Sequence, residues 1–165
     1  MAEVLLGAKL AARGIEAHVR SAGLYEGGRP AWPEAAAAVA ERGLDLSAHV
    51  SREMEAAIVR DADLVLGMTR EHAREAIARE PSAYFRVLTL KEAVRAGEER
   101  PRAGQPLDTW LAELAEQREV EDLLGADPSD DVEDPIGGPL EAFRATATEL
   151  DALLDRLVKV AFPVG

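Results

Sequence analysis

The strongest hydrophobic pattern lies near the C-terminal end, where Phe143, Ala147, Leu150, Leu154, Leu157 and Ala161 recur in alternating steps of four and three. That spacing predicts a helix with one apolar stripe turned to a core. At the other end Val4, Leu5, Ala8 and Ala12 also fall at helical spacing, with Gly14 placed to end the helix. Ile15, Ala17, Val19 and Ser21 then alternate as a short strand running into Ser21-Ala22-Gly23. Gly27, Gly28 and Pro30 mark a turn-rich loop from Tyr25 to Trp32. Pro33 suits the first turn of a helix through the alanine run to Arg42, with Gly43 as its cap.

Leu44 to Val50 reads as a connector, and Ser51 is placed to cap a helix containing Met54 and Ile58. Leu64-Val65-Leu66 predicts a buried strand, and Thr69 an N-cap for a helix through His72 that must stop before Pro81. Phe85, Val87 and Leu88 predict another strand. Over 91–133 the expected elements are a proline-containing loop from Arg100 to Pro106, a helix around Trp110 to Leu124, and an acidic loop from Asp127 to Asp134. Trp32 and Trp110 read as packing residues at element ends, and His72 as part of a solvated helix face. Helices alternating with short apolar strands predict an α/β fold with a parallel sheet. With no repeat or linker in evidence, residues 1–165 are expected to form a single domain.

Composition narrows the function. The net charge is −12, from 31 acidic and 19 basic residues, which argues against nucleic acid and anionic membranes as partners. No apolar run is long enough for a transmembrane helix, and Met1-Ala2-Glu3 does not open a signal peptide, so the expected location is the cytoplasm. There are no cysteines, which rules out disulfides, thiolate metal sites and cysteine catalysis within these residues. His18, His49 and His72 show no close metal spacing, so no metal is expected.

Four segments, in order, carry a resemblance. They are Met1-Ala2-Glu3-Val4-Leu5-Leu6; Ser21-Ala22-Gly23 with Gly28 and Pro30; Gly43 through Arg52 followed by Ala62-Asp63-Leu64-Val65-Leu66 and Met68-Thr69; and Glu133-Asp134-Pro135-Ile136-Gly137-Gly138. Together they resemble the low-molecular-weight protein-tyrosine phosphatases, with residues 91–130 looking like an insertion. The resemblance implies a three-layer α/β/α fold with a small parallel sheet, in which the first central strand is missing here. It implies phosphomonoester hydrolysis through a phosphocysteine, on a phosphotyrosine-containing protein, with no metal or organic cofactor. The family's phosphate loop, Cys-x-x-x-x-x-Arg-Ser, directly precedes the helix that Met1-Ala2-Glu3 resembles. Its backbone N–H groups cradle phosphate, its helix end lowers the thiol pKa, and its arginine clamps phosphoryl oxygens. Without that loop the chain as written is expected to be inactive. An N-terminally truncated enzyme, with the true start codon upstream, is the favoured explanation; a pseudophosphatase that binds a partner without chemistry is the alternative. A thioredoxin-linked arsenate reductase is disfavoured because it needs further cysteines.

By the same resemblance Asp134 is the general acid that protonates the leaving oxygen, and Pro135 holds it extended. Asp130, Asp131 and Glu133 supply negative surroundings that favour the protonated acid. Read without the other segments, Asp-Pro simply starts a turn. His49 matches a histidine that preorganises the phosphate loop, although a lone histidine is as often a surface or satisfied core residue. The family's serine partner in that network falls at Ala22 on one alignment. Tyr25 lies where the family places the substrate-pocket wall, and an exposed loop tyrosine without a role weighs the same.

Overall fold

The computed structural model describes residues 1–118, 123 and 128–163. Contacts divide the chain into two units, Met1–Glu53 with Val132–Asp155 and Met54–Asp131 with Arg156–Gly165.

In the first unit α1 (Ala2–Ala12) ends as its sequence predicts. Gly14 takes φ +68°, and the Gly14 and Ile15 N–H groups donate to the carbonyls of Ala11 and Leu10. This is the left-handed termination that glycine adopts without a Cβ penalty. Helix α2 (Pro33–Ala40) starts with its proline in the first turn, where a missing N–H costs nothing. Trp32 precedes it but is 52% exposed, so it is not the packing residue expected. Leu5, Leu10, Ala38, Val39, Leu46 and Phe143 are buried, and Met1, Ala35 and Leu140 pack on the cluster of Ala38, Phe143 and Ala147.

The strand expected over 15–21 does not form. Alternation supplies the right faces for a strand, but a strand exists only when a neighbour takes up its N–H and C=O groups. Segment 15–22 carries no ladder hydrogen bonds. Ordered pairing begins at Gly23, bridged in parallel to Glu53, and at Pro30, bridged antiparallel to Val50. Between the bridges, Gly28 N–H donates to the Ser51 carbonyl at 2.7 Å and Ser51 N–H to the Arg29 carbonyl at 2.8 Å. The two stretches touch so closely that a Cβ on Gly27 would stand 2.6 Å from the Ser51 oxygen and 2.7 Å from Arg52 Cα. Ser51 is therefore not a helix cap; its Oγ accepts from Arg29 N–H at 3.1 Å.

In the second unit α3 (Ala56–Arg60) begins after Glu55, four residues later than a Ser51 cap would place it. The sheet pairs β1 (Val65–Gly67) with β2 (Val87–Thr89) in parallel, with Val65 opposite Val87, Leu66 opposite Leu88 and Gly67 opposite Thr89. All of β2 is buried, as continuous apolar strands of parallel sheets are. Helix α4 (Arg70–Arg79) is capped as expected, the Thr69 hydroxyl accepting from His72 N–H at 3.2 Å. Phe85 belongs to a 3-10 turn, Pro81–Arg86, rather than to the strand, and packs edge-on against Tyr84.

Helix α5 (Leu90–Glu99), absent from the expected elements although Leu90, Ala93, Val94 and Gly97 fall at helical spacing and are buried, starts at a capping box. The Thr89 hydroxyl accepts from Glu92 N–H while the Glu92 carboxylate accepts from Thr89 N–H, each at 3.1 Å. Helix α6 (Leu107–Ala115) is shorter than the expected 110–124, of which 119–122 and 124 lie outside the described residues. Its Trp110 is fully buried and donates from Nε1 to the Arg100 carbonyl at 2.7 Å. Helix α7 (Leu140–Ala161) carries the predicted stripe, and all six of its residues are buried. Among the described residues no helix is long and apolar enough to cross a membrane.

Candidate functional site

The Glu133–Gly138 loop is exposed except for half-buried Pro135 and Gly138. Asp134 turns the chain itself: its Oδ1 accepts from Ile136 N–H at 3.0 Å. Gly138 N–H then donates to the Pro135 carbonyl at 2.9 Å, and Gly137 takes φ +83°, which glycine tolerates. A Cβ on Gly138 would stand 3.1 Å from the Pro135 oxygen. The turn reading of Asp-Pro is thus correct as local structure, and it leaves an acid on a fixed, exposed turn. Such a carboxyl can give a proton to a group brought in from solvent.

The expected crowd of acidic neighbours is largely matched by cations. Asp130 ends a 3-10 turn, Pro128–Asp130, and is buried. It pairs with Arg95 through both carboxylate oxygens and with Arg70 Nη2 at 3.2 Å. Burial alone would push its carboxyl up; the Arg95 and Arg70 guanidiniums outweigh that and hold it below the usual carboxylate range. Asp131 Oδ1 accepts from Arg70 N–H, at the first residue of α4, at 2.8 Å. Lys91 Nζ donates to the Asp131 carbonyl at 2.7 Å. Asp127 lies outside the described residues.

Glu3 is the residue that sequence reasoning passed over. It sits in the first turn of α1, where a negative charge complements the helix dipole. Its Oε2 accepts from the Ser21 hydroxyl and lies 3.7 Å from His49 Nδ1. One half-buried carboxylate therefore gathers three chain segments: α1, the 15–22 stretch and the 44–50 connector. The serine that meets this network is Ser21, next to the Ala22 that one alignment offers. The signal was present in Met-Ala-Glu, but nothing in sequence spacing joins residue 3 to residues 21 and 49.

Tyr25 is 88% exposed and makes no hydrogen bond among the described residues. His72 is half-buried, its Nδ1 3.0 Å from the Thr69 hydroxyl. Among the described residues no group of His, Asp and Glu side chains is arranged to hold a metal.

Known proteins resemble this chain in sequence and in fold. The profile of the family described as low molecular weight phosphotyrosine protein phosphatase matches residues 1–122. The protein-arginine-phosphatase of Bacillus subtilis (strain 168) is 30% identical over 161 residues, covering 96% of this chain and 85% of that protein. That of Geobacillus stearothermophilus is 31% identical over 147 residues, covering 88% and 76%. The crystal structure of a low molecular weight protein tyrosine phosphatase from T. tengcongensis superposes with a TM-score of 0.71 at 31% identity, covering 96% of this chain and 87% of that one.

Proposed function

We propose, from the premise that this chain belongs to the low molecular weight phosphotyrosine protein phosphatase family, that its acid loop serves the dephosphorylation of phosphoarginine in proteins, with Asp134 as the general acid. The observation that carries this reading is the loop's charge. Asp130 is buried and neutralised by Arg70 and Arg95, but the loop itself leaves Glu133 and Asp134 exposed side by side, and residues 128–143 hold no Lys, Arg or His. Cleaving a phosphoarginine P–N bond releases a strongly basic guanidine, so the departing nitrogen must take up a proton and the product is a cation. A loop rich in carboxylates suits that product better than a neutral phenol. The relatives in B. subtilis and G. stearothermophilus are named for the same substrate. Phosphotyrosine is the second reading, favoured by the family's description and by the exposed ring of Tyr25, available to pack on a substrate ring.

Pro135 and His49 are supporting residues in this proposal: Pro135 fixes the acid's backbone, and His49 belongs to the Glu3–Ser21 network below it in the mechanism. Residues 1–165 are taken as one phosphatase domain. They contain no thiol, so the phosphocysteine route has no nucleophile in these residues, and the 165-residue chain is expected to be inactive in it. The test is a pair of proteins. The 165-residue chain should not turn over p-nitrophenyl phosphate above a heat-killed control. A chimera with a Cys-x-x-x-x-x-Arg-Ser loop placed before Met1 should hydrolyse phosphoarginine peptides faster than phosphotyrosine peptides, and Asp134→Ala should slow it by roughly 10²- to 10⁴-fold. Turnover by the 165-residue chain, or a chimera indifferent to Asp134, would reject the proposal; a preference for phosphotyrosine would select the second reading.

A further inference from the structure

The acid loop and the helix that follows it, α7 as far as Asp155, belong to the same unit. Ala142 and Thr146 stand four residues apart in α7, so their side chains lie one above the other on a single face. Each meets one end of the loop. At the near end a Cβ on Gly138 would stand 3.2 Å from Ala142 Cβ and 3.1 Å from the Pro135 oxygen. Gly138 is not in the left-handed region, so its lack of a side chain answers to this close approach rather than to its φ. At the far end the Thr146 hydroxyl donates to the Glu133 carbonyl at 3.4 Å, and Thr146 is only 7% exposed. Val132, just before Glu133, is buried as well. Asp134 therefore leaves a short arch whose two feet, Val132-Glu133 and Gly138, are both held. Its crown is closed by the bonds from Ile136 N–H to Asp134 Oδ1 and from Gly138 N–H to the Pro135 carbonyl.

We infer that Gly138 and Thr146 are positioning residues for the acid: with Ala142 they seat both ends of its loop on one face of α7, and so set where the Asp134 carboxyl is presented. This rests on the reading of Asp134 as the acid for its catalytic meaning, but not for its test. Neither residue is asked to touch a substrate; each acts through the backbone beside Asp134. Carbon atoms in contact stand ~3.5–4.0 Å apart, so a side chain at 138 must part from Ala142 by ~0.3 Å or more. The same Cβ presses on Pro135, the residue next to the acid. An acid moved out of place loses much of its effect.

The experiment is ¹⁵N NMR on the 165-residue chain. Ile136 N–H donates to Asp134 Oδ1, so its proton resonance moves when acidification removes the carboxylate charge. In Gly138→Ala that movement should shrink at least roughly twofold, because the resonance averages over conformers that keep and lose the bond. Backbone order parameters at 134–137 should fall from about 0.85 in the parent to below about 0.6. Gly138→Ala/Ala142→Gly, which opens one of the two contacts again, should recover most of both. Thr146→Val should show the same losses, whereas Thr146→Ser, which keeps the hydroxyl, should not. Order in α1, within the same unit, should not change in any of them. The two Thr146 variants carry the test if Gly138→Ala fails to fold. An unchanged Ile136 response in both Gly138→Ala and Thr146→Val overturns the inference. So does a Thr146→Ser chain that behaves like Thr146→Val, or a loss of order that spreads equally through α1. Because no turnover is measured, these results are separable from any failure of Asp134 as the acid.

Discussion

Gly97 offers a stringent check on the packing of the second unit. It lies in α5, where glycine costs about 1 kcal/mol relative to alanine, so Gly97→Ala on an open helix face would stabilise by about that amount. Here the new Cβ would stand 2.8 Å from Val160 Cγ2 and 3.2 Å from Trp110 Cζ2. Ordinary carbon contacts lie at ~3.5–4.0 Å, so Val160 must give way by ~0.7 Å or more. Trp110 cannot yield easily, being fully buried and tied through Nε1 to Arg100. Val160 can rotate, but a β-branched side chain in a helix has one strongly preferred rotamer, and leaving it costs ~0.5–1.5 kcal/mol. Overpacking of this kind costs ~1–3 kcal/mol in total, which cancels or exceeds the propensity gain. The expected result is a loss of about 0–2 kcal/mol in urea unfolding, with an unchanged m-value. The double variant Gly97→Ala/Val160→Ala removes the closest clash, and the cycle should show a favourable coupling of ~0.5–2 kcal/mol. A Gly97→Ala chain that is more stable by ~1 kcal/mol, with no coupling to position 160, would refute the reasoning.

Two further perturbations follow from buried charges. Asp130 has its folded-state carboxyl held below the usual range, so it contributes stability at pH values above the unfolded carboxylate pKa, ~3.9, and loses it as pH falls through the lower folded value. Acid titration of stability should therefore be shallower in Asp130→Asn than in the parent below about pH 4, and parallel curves would contradict the assignment. Glu92 serves the α5 cap and also accepts from Arg118 Nε at 2.6 Å, where the Arg118 side chain is only 1% exposed. Glu92→Ala strands that buried cation and should cost ~3–5 kcal/mol by thermal melt, whereas Glu92→Gln with Arg118→Met should cost far less; a loss under ~1 kcal/mol for Glu92→Ala would show the pair to be dispensable.

What could be read in advance was local. The α7 stripe, the Thr69 cap, the proline start of α2 and the glycine end of α1 each depend on residues within a turn or two of one another. The Thr89-Leu-Lys-Glu92 cap was equally local and visible, as was the helical spacing of Leu90, Ala93, Val94 and Gly97 behind it, so α5 was as legible as the elements that were expected. The 15–21 stretch failed because a strand needs a partner that alternation cannot supply. The site divides in the same way. Asp134 and its turn follow from Glu-Asp-Pro-Ile-Gly-Gly, whereas the Glu3–Ser21–His49 cluster and the Arg70–Asp130–Arg95 grip join residues 18 to 60 positions apart, beyond the reach of any sequence window.

The close approach of Gly27 to Ser51 and Arg52 has a consequence for how this loop can diversify among descendants. Its obstruction is backbone against backbone, so no compensating change elsewhere can make room for a larger residue at 27. The side chains of Tyr25, Glu26 and Arg29 carry no such restriction, because they point from a pinned main chain into solvent-exposed positions. Lineages are therefore free to exchange those three residues while inheriting the same backbone path. The chemistry that this loop presents to solvent can drift by side-chain replacement alone, while the close approach of the two backbones keeps residue 27 without a side chain.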